Sequence, residues 1–250
     1  MNKIQSLAAI CALLCGATAS AQFTTGGKSN GGSSASTQEI APYNQFGISY
    51  TNVKYTWDIP GGNDDMDDIS TNGVSLKYIH GFSVSQKLPM YVETGLNLNF
   101  GFAKIYGEEE EDYAYFQKYQ FAALAIPVNF AYKFNINDNI AIKPYIGLNF
   151  KFNLLGRTKG EIEIYDEDLE DYFDEEDLES KWGSLYSKKD MGDKDSVWNR
   201  FQMGWHIGAD VQFNKFYVGL NYGTDFIPAW KYKKYKTNSG TFNIGIGVCF

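Results

Sequence analysis

The amino-acid sequence predicts an all-β chain: an eight-stranded antiparallel up-and-down transmembrane β-barrel with short periplasmic turns and long acidic outer loops. Three observations carry this. Apolar residues alternate with period two through eight segments, the pattern of strands whose two faces meet different surroundings. Bulky apolar sets stand opposite faces of Gly, Asn, Gln, Tyr and sparse charges. That is apolar-out and polar-in, the membrane-barrel arrangement, whereas a lipocalin-like soluble barrel points its bulk inward. Connections also alternate strictly in length, with Val84–Pro89, Asn135–Asn139 and Asn214–Lys215 short, and Asp58–Ser70, Ala103–Lys118, Gly156–Val197 and Phe226–Ser239 long. Outer-membrane barrels pair short periplasmic turns with long outer loops in this way.

Composition agrees. The 250 residues include 18 Tyr, 18 Phe, 5 Trp and 25 Gly but only 6 Pro, which favours sheet over a helix bundle. A net charge of −8 argues against nucleic acid as partner, because phosphate neutralisation needs clustered Lys and Arg. The mean hydropathy of −0.35 excludes a polytopic helical membrane protein but not a barrel, whose strands are only half apolar.

Residues 1–21 read as a secretory signal peptide. Lys3 is followed by an apolar stretch from Leu7 to Leu14 and by Ala19-Ser20-Ala21, and that stretch is too short for a transmembrane helix. Cys11 and Cys15 raise the question of lipidation, but Ile10 and Leu14 stand where a lipoprotein signal wants a small residue. Loss of this segment leaves Cys249 alone, with no internal disulfide. Residues 22–42 form a flexible Gly/Ser-rich leader, and 43–250 the barrel domain.

The strands follow in order. Gln45–Trp57 carries Phe46, Ile48 and Tyr50, then changes phase to Val53, Tyr55 and Trp57, which predicts a bulge or a rim. Asn72–Ser83 carries Val74, Leu76, Tyr78 and Phe82. Met90–Phe102 sets Val92, Leu96, Leu98 and Phe100 against Glu93, Gly95, Asn97 and Asn99. Tyr119–Phe134 carries Leu124, Ile126, Val128 and Phe130. Ile140–Leu154 sets Ile142, Ile146, Leu148 and Phe150 against Lys143, Tyr145, Gly147 and Asn149. Trp198–Phe213, Phe216–Gly223 and Thr241–Phe250 complete the eight. Phe82, Tyr132, Phe134, Phe213, Phe216 and Phe250 gather at the short-turn ends, and Trp57, Phe102, Trp198 and Tyr222 toward the long loops, as two interfacial aromatic belts would.

The run Phe242-x-Ile244-x-Ile246-x-Val248-x-Phe250 looks like the C-terminal signal that hands outer-membrane barrels to the insertion machinery. More narrowly, the chain resembles the PorT-like outer-membrane β-barrel family of Gram-negative bacteria. The likeness rests on Ala125-Ile126-Pro127-Val128 running into Tyr132-Lys133-Phe134, on Pro144-Tyr145-Ile146-Gly147, on Gly204-x-x-Ile207-Gly208-Ala209 and on Val218-Gly219-Leu220-Asn221-Tyr222-Gly223. The resemblance implies outer-membrane location and no uniform activity: one namesake works in a secretion system, and most members are surface barrels.

Chemistry is sparse. Lys77, Glu93, Lys133, Lys143, Lys151, Arg200, His206 and Asp210 fall in the inward phase. They read either as a conduction pathway or as a satisfied interior ion network. The second is favoured, since eight strands enclose a lumen that side chains fill. His80 lies in the lipid-facing phase near a short turn and His206 inward near mid-strand, so neither marks catalysis. No cofactor or metal site is implied. Twelve carboxylates lie between Glu161 and Ser180. Calcium is the sharp alternative there, but EF-hand spacing is missing, and a solvated, self-repelling loop is the default. Of the 30 acidic residues, 25 fall in the first three long loops, an acidic crown on one rim. Lys231, Lys233, Lys234 and Lys236, interleaved with Tyr232 and Tyr235, are the candidate surface contact, either folding over the acidic loops or meeting anionic lipopolysaccharide. The expectation is a non-enzymatic integral outer-membrane barrel in outer-membrane lipid and lipopolysaccharide, whose loops contact a partner, a glycan or lipopolysaccharide. The alternatives are a subunit of a secretion or envelope-assembly complex with an envelope protein partner, and a small pore.

Overall fold

The computed structural model describes residues 40–59, 68–109, 113–165 and 180–250. The expected signal peptide and nearly all of the leader lie outside these residues, as does most of the acidic stretch after Glu163.

Eight long strands form a ring: β1 (Tyr43–Asp58), β2 (Ile69–Ser83), β3 (Met90–Glu109), β4 (Tyr113–Tyr132), β6 (Ile140–Ile164), β8 (Phe201–Phe213), β9 (Phe216–Asp225) and β11 (Tyr235–Cys249). Short strands β5 (Phe134–Asn135), β7 (Gly183–Ser184) and β10 (Trp230–Tyr232) pair at the margins. Each long strand runs antiparallel to its neighbours in chain order, and β1 closes on β11 from Gln45 opposite Cys249 to Asp58 opposite Lys236. No helix among the described residues is long and apolar enough to cross a membrane.

The two-residue alternation sets the faces. Phe46, Ile48, Val74, Leu76, Phe100, Ile126, Val128, Ile146, Val218, Ile244 and Ile246 all point outward and are exposed. In the alternate, inward phase Gln45, Ser75, Glu93, Asn129, Lys143, His206 and Asp210 are buried. The short turns are built locally. Asn137 Oδ1 accepts from the backbone N–H groups of Asn139 and Ile140 at 2.9 and 2.8 Å. The tightest turn places Asn214 at φ 53°, a left-handed position that Asn tolerates.

Several sequence expectations need correction. The phase change in β1 is no bulge, since pairing with both neighbours continues unshifted through it. Val53 and Tyr55 stay in the inward set, and what changes is the lumen, which becomes apolar at its outer end. Tyr55, Ile69, Phe121, Leu185, Trp198 and Ala229 form a buried cluster there, with Val53, Ile105 and Tyr119 packed against it. The register irregularities lie elsewhere: Ala122 opposes Leu155 while Ala123 opposes Asn153, leaving Leu154 as an extra residue in β6, and a second shift falls between Tyr106 and Glu109. Trp198 precedes β8 and is 7% exposed. It therefore belongs to this plug and not to the lipid-facing belt, and Trp57 stacks edge-on against it at 6.5 Å.

The second and third long connections are also shorter than expected. β3 and β4 are 20 residues each and β6 is 25, whereas about 9–11 residues cross a bilayer. The surplus forms a hairpin extension and a pairing of β6 with β7 above the apolar band.

Ile246, 60% exposed at the middle of the outer apolar row of β11, separates lipid from water as surroundings. Ile246→Lys is expected to destabilise the folded barrel in lipid vesicles by about 2–4 kcal/mol, measured by urea titration. The same change on a water-facing strand would cost about 0.5 kcal/mol or less.

Candidate functional site

Inside the barrel the polar side chains sort into two layers. The lower layer, toward the short turns, centres on Lys143. Its Nζ donates to Glu93 Oε1 at 2.5 Å, Gln45 Oε1 at 2.8 Å and the Tyr43 hydroxyl at 2.9 Å, and lies 3.2 Å from Asp210 Oδ2. Tyr43 donates to Glu93 Oε1, and Asn129 Nδ2 donates to Oε2 at 2.9 Å. Asn129 Oδ1 in turn meets His206 Nε2 at 2.6 Å, and Gln45 Nε2 donates to Asp210 Oδ2 at 3.1 Å. Lys77 lies over the Tyr217 ring at 5.0 Å. Lys77 and Lys143 thus match Glu93 and Asp210 in charge, which is what allows four ionisable groups inside a narrow lumen.

The upper layer is a second, separate pair. Lys151 Nζ donates to Asp225 Oδ2 at 2.5 Å, and Ser239 Oγ donates to the same oxygen at 2.6 Å. Gln202 Nε2 donates to Ser239 at 3.0 Å, and its Oε1 accepts from Asn153 Nδ2 at 2.8 Å. A cavity of about 100 Å³ runs through both layers to the plug, lined by Asn97, Asn99 and Asn149 and by Lys77, Lys151, Tyr55 and Phe121, room for a few water molecules. Above the upper layer sits the aromatic plug.

Six of the eight residues expected inside are in these layers or beside them: Lys77, Glu93, Lys143, Lys151, His206 and Asp210. Lys133 lies just below the lower layer, lining a recess of about 210 Å³ at the short-turn end whose wall also holds Tyr43, Gln45, Lys143, Lys215 and Cys249. Arg200 does not belong to the interior. It lies just before β8, exposed, donating to the carbonyls of Asn153 and Leu154 at 3.2 and 3.3 Å and stacking on Tyr186. Being one residue outside the strand, it escapes the inward phase. Asp225, the partner of Lys151, was missed by sequence reasoning because β9 was ended at Gly223. The signal was there, since Asp225 continues the inward series Tyr217, Gly219, Asn221 and Gly223.

At the outer rim, Lys231 and Lys236 are paired across β10 and β11, with Lys233 and Lys234 at the two-residue tip between Tyr232 and Tyr235. Lys233 takes φ 52°. Lys231, Lys233 and Lys234 are exposed, while Lys236 reaches Asp58, the last residue of β1, at 3.2 Å. On the outer face of β11, Phe242, Ile244, Ile246 and Phe250 are exposed in one row with Val248. His80 faces outward, its Nδ1 2.8 Å from Asn44 Oδ1. Among the described residues no group of three His, Cys, Asp or Glu is placed to hold a metal, and residues 166–179, which hold ten of the 25 acidic residues of the expected crown, lie outside them.

A closed ring of alternating strands with this inside and outside has a counterpart among known families. The family model described as "outer membrane protein beta-barrel domain" matches residues 42–227. The chain belongs to that family. It is an integral outer-membrane β-barrel protein. This outer-membrane barrel is also similar to solved structures at low identity. Ail, the attachment invasion locus protein of Yersinia pestis, in complex with the heparin analogue sucrose octasulfate, is 16% identical over 83% of this chain and 99% of its own, with a TM-score of 0.36. Neisserial surface protein A is 14% identical over 81% and 96%, with a TM-score of 0.33. OprG from Pseudomonas aeruginosa is 12% identical over 84% and 95%, with a TM-score of 0.31. No curated protein matches the chain.

The interior charges define a test. Lys143→Met strands two buried carboxylates around one remaining lysine, and is expected to destabilise the barrel by about 3–5 kcal/mol in urea titration from micelles. Lys143→Met with Glu93→Gln should recover part of that loss. Arg200→Gln, outside the lumen, should stay within about 1 kcal/mol of the parent.

Proposed function

We propose that this outer-membrane barrel is a non-enzymatic surface protein that acts through its outer rim, by contact with a partner, a glycan or lipopolysaccharide. The observation that carries this reading is the filled lumen: the charges are matched in pairs, and Tyr55, Phe121 and Trp198 close the outer end. A plugged barrel leaves its rim as the surface that meets the surroundings. Support for a contact through Lys231, Lys233 and Lys234 comes from their exposure on a hairpin tip braced by Tyr232 and Tyr235. The PorT-like resemblance of the sequence supports this reading, since it implies a group in which most members are surface barrels. In this reading residues 1–21 are the export signal, and the apolar outer row of β11 meets the insertion machinery during assembly.

Two measurements test the proposal. In planar bilayers the purified barrel is expected to give no conductance steps, and steady unitary steps would favour the small pore. Crosslinking and pull-down from native outer membranes is expected to recover lipid or glycan without stoichiometric envelope proteins. Stable capture of such proteins would instead make it a subunit of a secretion or assembly complex.

A further inference from the structure

A polar row crosses the outer, apolar face of the barrel where β1, β2 and β3 approach their short-turn ends. Asn44 stands directly opposite His80, and His80 directly opposite Thr94. All three share the outward phase of Phe46, Phe82 and Val92, which are exposed. Phe46, Tyr78 and Leu96 flank the row on the side of the bilayer centre, and Phe82 and Val92 on the side of the short turns. Polar groups enclosed in this way by lipid-facing apolar residues are not explained by the lumen or by the outer rim.

Part of the row is held rigidly. Asn44 Oδ1 accepts from the Tyr78 hydroxyl at 2.9 Å and from His80 Nδ1 at 2.8 Å. A neutral imidazole carries one N–H, so donation from Nδ1 makes Nε2 an acceptor. The Phe82 ring stands edge-on to the imidazole at 4.3 Å. Three groups then have no protein partner among the described residues: His80 Nε2, Asn44 Nδ2 and the Thr94 hydroxyl. On a face covered by hydrocarbon each such group carries a desolvation cost. Ile40, just before β1, packs against the inward cluster of Tyr91, Ala131 and Tyr145, so the described chain turns away from this face and leaves the row to lipid.

Depth and chemistry select the lipid part that meets it. Asn44 is the second residue of β1, about 3 Å along the strand from its start. His80 is three residues from the end of β2, about 10 Å along the strand. The row therefore lies just inside the aromatic belt at the short-turn side, within reach of a headgroup. An acceptor beside two donors matches a headgroup that carries an N–H donor next to a phosphate. The row itself has no charged residue, so it suits a zwitterion better than an anion.

We propose that Asn44, His80 and Thr94 form a seat for the headgroup of a phospholipid with a primary ammonium. The ammonium donates to His80 Nε2, and the phosphate accepts from Asn44 Nδ2 and Thr94. The acyl chains run along Ile48, Leu76 and Leu98 toward the bilayer centre. This seat lies at the opposite end of the barrel from the rim and does not depend on what the rim contacts.

The test is native mass spectrometry of the full barrel released from micelles that contain phosphatidylethanolamine, phosphatidylcholine or phosphatidylglycerol with identical acyl chains. The parent is expected to retain the ethanolamine lipid about tenfold better than the choline lipid, which has no N–H, the worth of one charge-assisted hydrogen bond. His80→Phe and Asn44→Leu should each remove that preference, whereas Thr224→Val, on the outer face of β9, should keep it. Equal retention of the three lipids by the parent, or an undiminished preference in His80→Phe, would overturn the seat. Dimers that form whatever the lipid and vanish in His80→Phe would give the row to a second copy of the chain, and overturn it as well. Should the row variants fail to fold, the unaltered protein is compared by ¹⁵N NMR in ethanolamine and choline bilayers. The chain has two histidines. The Nε2 resonance of His80 is expected to move between the two lipids while that of His206, inside the lumen, stays in place. A His80 resonance that does not move overturns the proposal.

Discussion

In a bilayer there is no water to satisfy a strand's backbone, so every N–H and C=O in the apolar layer must find a partner within the sheet. The pairing of β1 with β11 meets this requirement, because it removes the last two edges. Everything else follows from closing the sheet with only eight strands. The ring is narrow, so the inward set must fill it with side chains. Gly73, Gly95, Gly147, Gly219 and Gly245 alternate with outward apolar residues, and a side chain at any of them would run into the backbone of the next strand or into Asn129, Asp210 or Ser49. Charge enters such a space only in matched sets, and the Lys143 cluster and the Lys151–Asp225 pair are two such sets.

Much of this was legible in the sequence. Period-two alternation with bulky and small faces identified eight strands, their order and their facing, because lipid on one side and a narrow lumen on the other act on every residue in turn. The interior residues Lys77, Glu93, Lys143, Lys151, His206 and Asp210 followed from the same phase. What was not legible lies where that rule stops. Arg200 was assigned inward by counting, but the strand begins one residue later. Trp198 was assigned to the lipid belt because aromatic residues gather there, whereas a connection folding back into the barrel mouth carries it inside. The extra residue Leu154 in β6 left no sign, since Phe152 and Leu154 continue the outward alternation and Leu155 is equally apolar.

The phase change in β1 is the most informative of these differences. Within the bilayer the barrel is apolar outside and polar inside, with Ile48 and Tyr50 facing out and Gln45 and Ser49 facing in. Beyond Thr51 the polarity inverts without a break in register: Val53 and Tyr55 face in, and Lys54, paired with Asp68 at 2.7 Å, faces out. The same inversion runs through β3, where Phe102 is the last outward apolar residue of the band and Lys104 follows, while inward Asn99 gives way to Ala103 and Ile105. Above the lipid the extension is built like a soluble barrel, with a core inside and charge outside, because water has replaced lipid as its surroundings.

That inversion also explains how one continuous strand serves two purposes. Burial of Tyr55, Ile69, Phe121 and Trp198 stabilises the extension and closes the lumen in the same contact. Lysines on the inward face at that height would disrupt the plug. On the outward face they stand on a rigid sheet at a set distance from the lipid surface. A loop would have to order itself to present the same charges, at a cost in conformational entropy, whereas the register of β3 and β4 sets Lys104 opposite Lys118 as the barrel closes.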